Sequence, residues 1–345
     1  MTEQAQLPVT ILTGFLGSGK TTLINYLLQH NRDEKIIIIE NEFGPINLDS
    51  GLLQVDTNIE IVEMTNGCIC CSIQGELTDA LHKLHQQRLD GKIEFDRLII
   101  ETTGLADPAP ILQTFFIDDL VRETIKLDAV ITLVDSEHIL QHLNEHRVAS
   151  SQIGFADRII LTKTDRITDE QKNLALKRIH QINNKALIFE ALNGQLPKSE
   201  WLDINAFDLS DELDVNKGFF VINTNKPLQA DFKPFSKQIL TNNSHSWNDN
   251  IHSYLFEADE LDIKKIGTFM EHLIEQYGND MLRYKGILAI HNKAERLIVQ
   301  GVHKVVGFDY GSIWHDDENK ISRLVVISRK LPFIELERRF LDCQA

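Results

Sequence analysis

Apolar residues come in short bursts along this chain, and the period inside each burst identifies the element. Val9 to Leu12 reads as a strand. In Thr21 to His30, Leu23, Ile24, Leu27 and Leu28 share one helical face. Lys35 to Glu40 (KIIIIE) and Arg97 to Glu101 (RLIIE) are apolar without alternation, as in strands buried on both faces of a parallel sheet. Ile59 to Glu63, Leu127 to Val134, Arg158 to Thr162 and Ala186 to Glu190 read as further strands. Helices are predicted behind Ser72, with Ile73, Leu77, Leu81 and Leu84 inward, from Pro108 through Phe116, over Ser136 to Asn144, and over Asp169 to Asn183 behind a Thr168 cap. Alternating strands and helices imply an α/β fold with a mostly parallel sheet.

From Asn193 the pattern loosens, and Asp203 to Asp214 is acidic and poorly periodic, which suits a connector. Beyond it, strands are expected at Ile251 to Glu257, Ile287 to Ile290, Arg296 to Val299 and Leu324 to Ser328. Helices are expected at Leu261 to Tyr277 and Pro332 to Leu341. Many strands with few helices suggest a smaller α+β C-terminal domain, with Trp247, Tyr277, Tyr284 and Trp314 as packing residues. The expected division is 1–200 for the first domain, 201–225 for a linker and 226–345 for the second.

The stretch that organises the first domain is Gly14-Phe15-Leu16-Gly17-Ser18-Gly19-Lys20-Thr21, a G-x-x-x-x-G-K-T phosphate-binding loop. It lies between a strand and a helix, the context the motif needs, so the first domain is a P-loop NTPase. Gly14, Gly17 and Gly19 let backbone N–H groups, with Ser18 and Thr22 among them, crowd phosphate oxygens. Lys20 is expected to reach the β- and γ-phosphates and the Thr21 hydroxyl to bind Mg²⁺.

Other candidate groups also sit where strands end. Glu101-Thr102-Thr103-Gly104 occupies the position of a Walker B and switch segment, with Glu101 on Mg²⁺ through water and the Gly104 N–H toward the γ-phosphate. Thr162-Lys163-Thr164-Asp165 reads as a base-recognition loop. The Asp165 carboxylate can accept from the N1–H and N2–H₂ of guanine, a donor pair adenine lacks, so GTP and GDP are the expected nucleotides. Thr162 stands where the usual N-K-x-D pattern has Asn. Cys68-x-Cys70-Cys71 offers thiolates suited to Zn²⁺, with Glu40 and Glu42 the nearest oxygen donors by topology. The plainer alternative for these cysteines is a set of small buried hydrophobes. Co²⁺ and Ni²⁺ also bind such ligands. His138, His142 and His146, at i, i+4 and i+8, read as the solvated rim of a helix or as a shared metal site. His82 and His85 read as surface residues.

Composition narrows the partners. The chain has 345 residues, 35 Lys and Arg against 51 Asp and Glu, and a formal charge of −16. That argues against nucleic acid or an acidic membrane surface as partner. The polar Met1 to Gln6 segment has no secretory pattern and no apolar run is long enough to span a bilayer. Three of the four cysteines crowd together, which suits metal chemistry in a reducing cytoplasm rather than disulfides.

Together GFLGSGKTT (14–22), ENEFG (40–44), NGCICC (66–71), ETTGLADP (101–108), TKTD (162–165) and LRYKG (282–286) resemble the CobW-type metallochaperone GTPases. These form the zinc chaperone branch of the SIMIBI class, and the likeness is to its YjiA-like bacterial subgroup. The resemblance implies GTP binding and slow hydrolysis, metal binding at Cys68, Cys70 and Cys71, and delivery to a client protein. The long His-rich tract of many relatives is missing, which argues against metal storage. The competing readings are a metal sensor or scavenger with nucleotide as a structural ligand, and a small-molecule kinase on the same scaffold. The physiological metal, the client and the oligomeric state are not legible from the sequence.

Overall fold

In the computed structural model, residues 6–31, 33–41, 59–63, 73–207, 221–222, 251–315 and 318–345 are described. Ser72 and Trp247 lie outside them. The first domain runs β1 (Leu7–Gly14), α1 (Lys20–His30), β2 (Ile36–Asn41), β3 (Ile59–Glu63), α2 (Ile73–Leu89), β4 (Arg97–Thr102), α3 (Ala109–Ile117), α4 (Asp119–Thr124), β5 (Ile125–Asp135), α5 (Ile139–Glu145), α6 (Arg147–Phe155), β6 (Arg158–Thr162), α7 (Asp169–Ile182), β7 (Leu187–Ala191) and β8 (Val221–Ile222). Its eight strands pair in parallel, in the order β3-β2-β4-β1-β5-β6-β7-β8. β1 is central, between β4 and β5. The chain moves to one side of β1 for β2 and to the other for β5, which opens a crevice at the C-terminal ends of these strands.

Helices cover both faces because the central strands are apolar on both. Val9, Ile11, Leu98 and Ile100 meet Leu77, Leu81, Ile111, Ile153 and Ile179 on one side. Leu12, Ile38 and Ile99 meet Leu23, Ile24, Leu27 and the fully buried Trp201 on the other. At the N-terminal edge of the sheet, Arg97 is 2% exposed among Glu34, Asp128 and Asp203. Burial pushes the Asp128 carboxyl up, against the Thr10 hydroxyl and Asn205 N–H that bond to it.

The second domain holds β9 (His252–Ala258), α8 (Ile263–Tyr277), β10 (Met281–Ala289), β11 (Glu295–Val302), β12 (Val305–Ile313), β13 (Ser322–Ser328) and α9 (Phe333–Leu341). Its antiparallel sheet has the order β12-β11-β10-β13-β9. One face packs on α8 and α9 through Tyr284, Leu288, Val299, Leu324 and Phe340. From the other, Leu282, Val302 and Ile327, joined by Ile251 just before β9, enter the first domain's core. Arg283 fixes the contact, donating to Phe155 O at 3.0 Å and pairing with Asp157 at 2.6 Å.

Five elements depart from the sequence expectation, among them β8, which adds to the parallel sheet from within the 201–225 stretch expected to be a linker. The single helix expected over Ser136 to Asn144 is α5 alone, and α6 follows it unforeseen. Ala149 to Phe155 of α6 are all buried, so no polar face gave a helical period. The short α4 and the edge strand β12, interrupted by Gly307 and Gly311, were also missed. β10 begins at Met281, so LRYKG lies inside a central strand. Tyr284 is buried, Tyr277 packs against the same core, and Trp314 stacks under the Arg296 guanidinium. No described helix is long and apolar enough to cross a membrane.

Two glycines test this packing in opposite directions. A Cβ on Gly154 of α6 would lie 3.0 Å from Leu282 Cδ2, whereas one on the exposed Gly267 of α8 meets nothing within 4 Å. Gly154→Leu should overpack the interdomain core and cost about 1–3 kcal/mol. Gly267→Ala should stabilise α8 by about 1 kcal/mol. Urea unfolding midpoints of the two variants check both signs.

Candidate functional site

The loop after β1 turns through Gly14, Gly17 and Gly19 at φ +143°, +71° and +97°. Gly19 directly precedes α1, and its left-handed backbone is one that side chains other than glycine rarely adopt. No side chain caps α1 and no acidic residue lies in its first turn. Its leading N–H groups therefore point into the crevice as an anion site. Lys20 is 9% exposed, with Nζ 3.1 Å from Gly14 O. The Ser18 hydroxyl is fully buried with no hydrogen-bond partner among the described residues, as befits a cradle shaped for an acceptor from outside. Thr21 is half-buried and Thr22 exposed.

Two further loops close on this one. Gly104, beyond β4, lies against the P-loop backbone: a Cβ there would fall 2.5 Å from Leu16 N and 2.7 Å from Leu16 Cα. The Thr102 and Thr13 hydroxyls bond at 2.8 Å just below. From β6, Thr162 Oγ1 donates to Ser18 O at 2.8 Å. Threonine in place of asparagine thus ties the β6 loop to the P-loop. Lys163 takes a left-handed φ of +56°, and its Nζ lies 2.7 Å from Asp135 Oδ2. Asp165 stands exposed in the turn that follows.

Glu40 and Glu101 end neighbouring strands in register, and both are buried, at 4% and 8% exposure. Two carboxylates held side by side out of water favour a cation. The Thr21 hydroxyl and the Glu101 carboxylate are oxygen donors of the kind Mg²⁺ takes. Glu42, Cys68, Cys70 and Cys71 lie outside the described residues.

The sequence did not signal Asp135 as part of this site. Burial pushes its carboxyl up, but hydrogen bonds from Lys163 and His138 outweigh it and hold it below the usual carboxylate range. The three histidines follow one another along α5, with ring centroids 5.8 and 6.4 Å apart. His138 precedes α5 and His146 separates α5 from α6. His142 and His146 stack on the P-loop ring of Phe15, at centroid distances of 4.3 and 4.8 Å. Burial pushes the His142 imidazole pKa down. Among the described residues, the group whose ligand atoms lie close enough for a metal is Asp135, Glu137 and His138. There, Lys163 and Arg166 already pair with the two carboxylates. His82 is half-buried rather than a free surface group, bonded at 2.9 Å to Asp118, the cap of α4.

An open cleft of about 440 Å³ runs from Thr22 along α1, lined by Asn25, Tyr26, Gln29, His30, Asn193 and Gln195. Gly194 closes its inner end, where a Cβ would fall 2.5 Å from Thr22 O.

Comparison with known proteins agrees with this arrangement. Residues 8–190 match the CobW/HypB/UreG nucleotide-binding domain, and residues 251–344 the cobalamin synthesis protein cobW C-terminal domain. The zinc chaperone YjiA of Escherichia coli is 38% identical over 97% of this chain and 98% of its own length. The zinc chaperone CobW of Pseudomonas aeruginosa is 32% identical over 96% and 90%. The zinc-regulated GTPase metalloprotein activator 1 of Saccharomyces cerevisiae is 30% identical over 95% and 81%. The crystal structure of Zn(II)-bound YjiA GTPase from E. coli superposes with a TM-score of 0.74 at 32% identity, covering 99% of this chain and 100% of that one. A Zn(II)-bound triple mutant of YjiA gives 0.76 at 34% identity, with the same coverage. With both domain models matched and near full-length likeness, the chain belongs to the CobW/HypB/UreG family and carries the CobW C-terminal domain.

Proposed function

We propose that this protein binds GTP, hydrolyses it to GDP and phosphate, and uses the cycle to hold a zinc ion and release it to a client metalloprotein. The observation that carries this reading is the register of Glu40 with Glu101. Glu40 is a candidate zinc ligand, and Glu101 begins the loop assigned to the γ-phosphate. A change at one strand end is felt at the other, one strand spacing away. Near full-length likeness to proteins named as zinc chaperones supports zinc as the cargo.

In this reading Lys20 spans the β- and γ-phosphates, and the N–H groups of residues 14–22 surround them. Thr21 holds Mg²⁺ directly and Glu101 holds it through water; when bound, the ion neutralises charge on the phosphate oxygens. Gly104 offers its N–H to the terminal phosphate. Asp165 accepts from guanine, while Thr162 and Lys163 set its loop on the P-loop and on Asp135. Zinc is bound by the thiolates of Cys68, Cys70 and Cys71 with Glu40 or Glu42. Loss of the γ-phosphate frees the Gly104 loop, and the metal-binding end of β2 responds. Binding linkage makes this reciprocal: if GTP tightens zinc, zinc tightens GTP by the same factor.

Lys20→Ala should weaken GTP binding by about 10- to 100-fold, the range of a lost charged hydrogen bond, and abolish turnover; fluorescent-nucleotide titration and phosphate release measure the two. A Zn²⁺ competition titration on the apo, Mg–GDP and Mg–GTP-analogue forms should separate the last from the others by about tenfold, roughly 1.4 kcal/mol. Changing Cys68, Cys70 and Cys71 to Ala should erase that difference. Equal affinity in all three forms would instead leave zinc and nucleotide uncoupled.

A further inference from the structure

The Gly104 loop touches the P-loop backbone to backbone, and a buried amide on α6 grips it from behind. Gln152 is 1% exposed. Its Nε2 donates to Gly104 O at 3.2 Å and to Ala106 O at 3.1 Å. Two carbonyl partners fix which end of the amide faces the loop, since only the nitrogen can donate. Both of its hydrogens are spent on one loop. Between the two tethered carbonyls Leu105 points outward, 59% exposed, and Ala106 N closes the turn on Thr103 O at 3.1 Å. The helix behind is anchored in turn, because Thr132 Oγ1 on β5 donates to Gln152 O at 2.8 Å.

Helix packing does not call for this residue. Its neighbours Ile153 and Phe155 bury apolar surface, and an apolar side chain at 152 would do so without the cost of burying an amide. The amide instead sets how far the Gly104 loop can retreat from Leu16.

We propose that Gln152 is a positioning residue for GTP hydrolysis, holding the Gly104 loop at the distance from the P-loop at which it meets the terminal phosphate. The inference rests on the GTPase reading above and adds to it a residue from outside the nucleotide-binding motifs. Gln152 makes no contact with nucleotide in this account and acts through the carbonyls of Gly104 and Ala106. The state it serves is the one with a γ-phosphate present; GDP does not need the loop.

The test compares two near-isosteric variants with the unchanged full-length protein. Gln152→Met keeps the length and removes the donors. Gln152→Glu replaces the donors with acceptors that face two carbonyls, and such a carboxyl titrates high, because its charged form is disfavoured there. Protonation then restores one O–H donor. For Gln152→Met, kcat should fall about tenfold or more and GTP-analogue affinity should drop, while GDP affinity stays within about twofold, the pattern of a lost state-specific contact. For Gln152→Glu, turnover should be as low at about pH 8 and recover several-fold toward about pH 6, relative to the unchanged protein. A purely structural role would lower GDP and GTP-analogue affinity together, and that result would overturn the proposal. So would kcat values in both variants equal to the unchanged protein's. If Gln152→Met fails to fold, the split between GDP and GTP-analogue affinity in Gln152→Glu still decides. No GTP turnover by the unchanged protein would defeat the GTPase reading itself, an outcome separate from any difference between variants.

Discussion

The first turn of α1 constrains everything built around it. Its N–H groups have no partner inside the helix, and neither a capping side chain nor an acidic residue of that turn answers them. An anion delivered from outside is the natural complement, and the fold brings the means of recognising it to the same place. The β4 loop meets the P-loop at Leu16, and the β6 loop meets it at Ser18. Both contacts involve main chain, so they leave little room for side chains and little freedom to drift.

The two ends of the sheet treat charge differently. At the N-terminal edge the protein supplies its own cation: Arg97 sits buried between acidic groups from three parts of the chain. Such a cluster finds its cation within the chain and serves the fold. At the C-terminal edge, Glu40 and Glu101 are buried in adjacent strands beside a loop built for phosphate. This end of the sheet faces the crevice, where a bound ligand adds to the folded state's stability.

Much of this was legible in the sequence, for a physical reason: a phosphate cradle is local. Its glycines, lysine and threonine are consecutive, and the strand and helix flanking them have clear periods. The Thr162 loop was readable on the same grounds. What escaped was non-local or aperiodic. α6 is buried on every side along most of its length, so it has no amphipathic signature, and Gln152 gains its meaning only from carbonyls 46 and 48 residues away. Asp135 resembled any strand-ending acid until Lys163 was seen beside it. The histidines kept the row that their spacing implied, but the contact of two of the rings with Phe15 comes from 120 and more residues away and no spacing could show it.

The core shared by the two domains limits how this molecule can move. Ile251, Leu282, Val302 and Ile327 belong to the same apolar cluster as Ile153 and Phe155 of α6, and Arg283 binds the end of that helix. A hinge opening the domains would expose those side chains, each worth about 1.5–3 kcal/mol when fully buried, and would break a buried ion pair as well. Sliding of packed surfaces by an ångström or two avoids both costs. Gly154, with no Cβ where α6 meets Leu282, lets the two surfaces lie this close without an interlocking side chain. Of the two motions open to such an interface, shear along α6 is the cheaper and a jaw that opens and shuts the costlier.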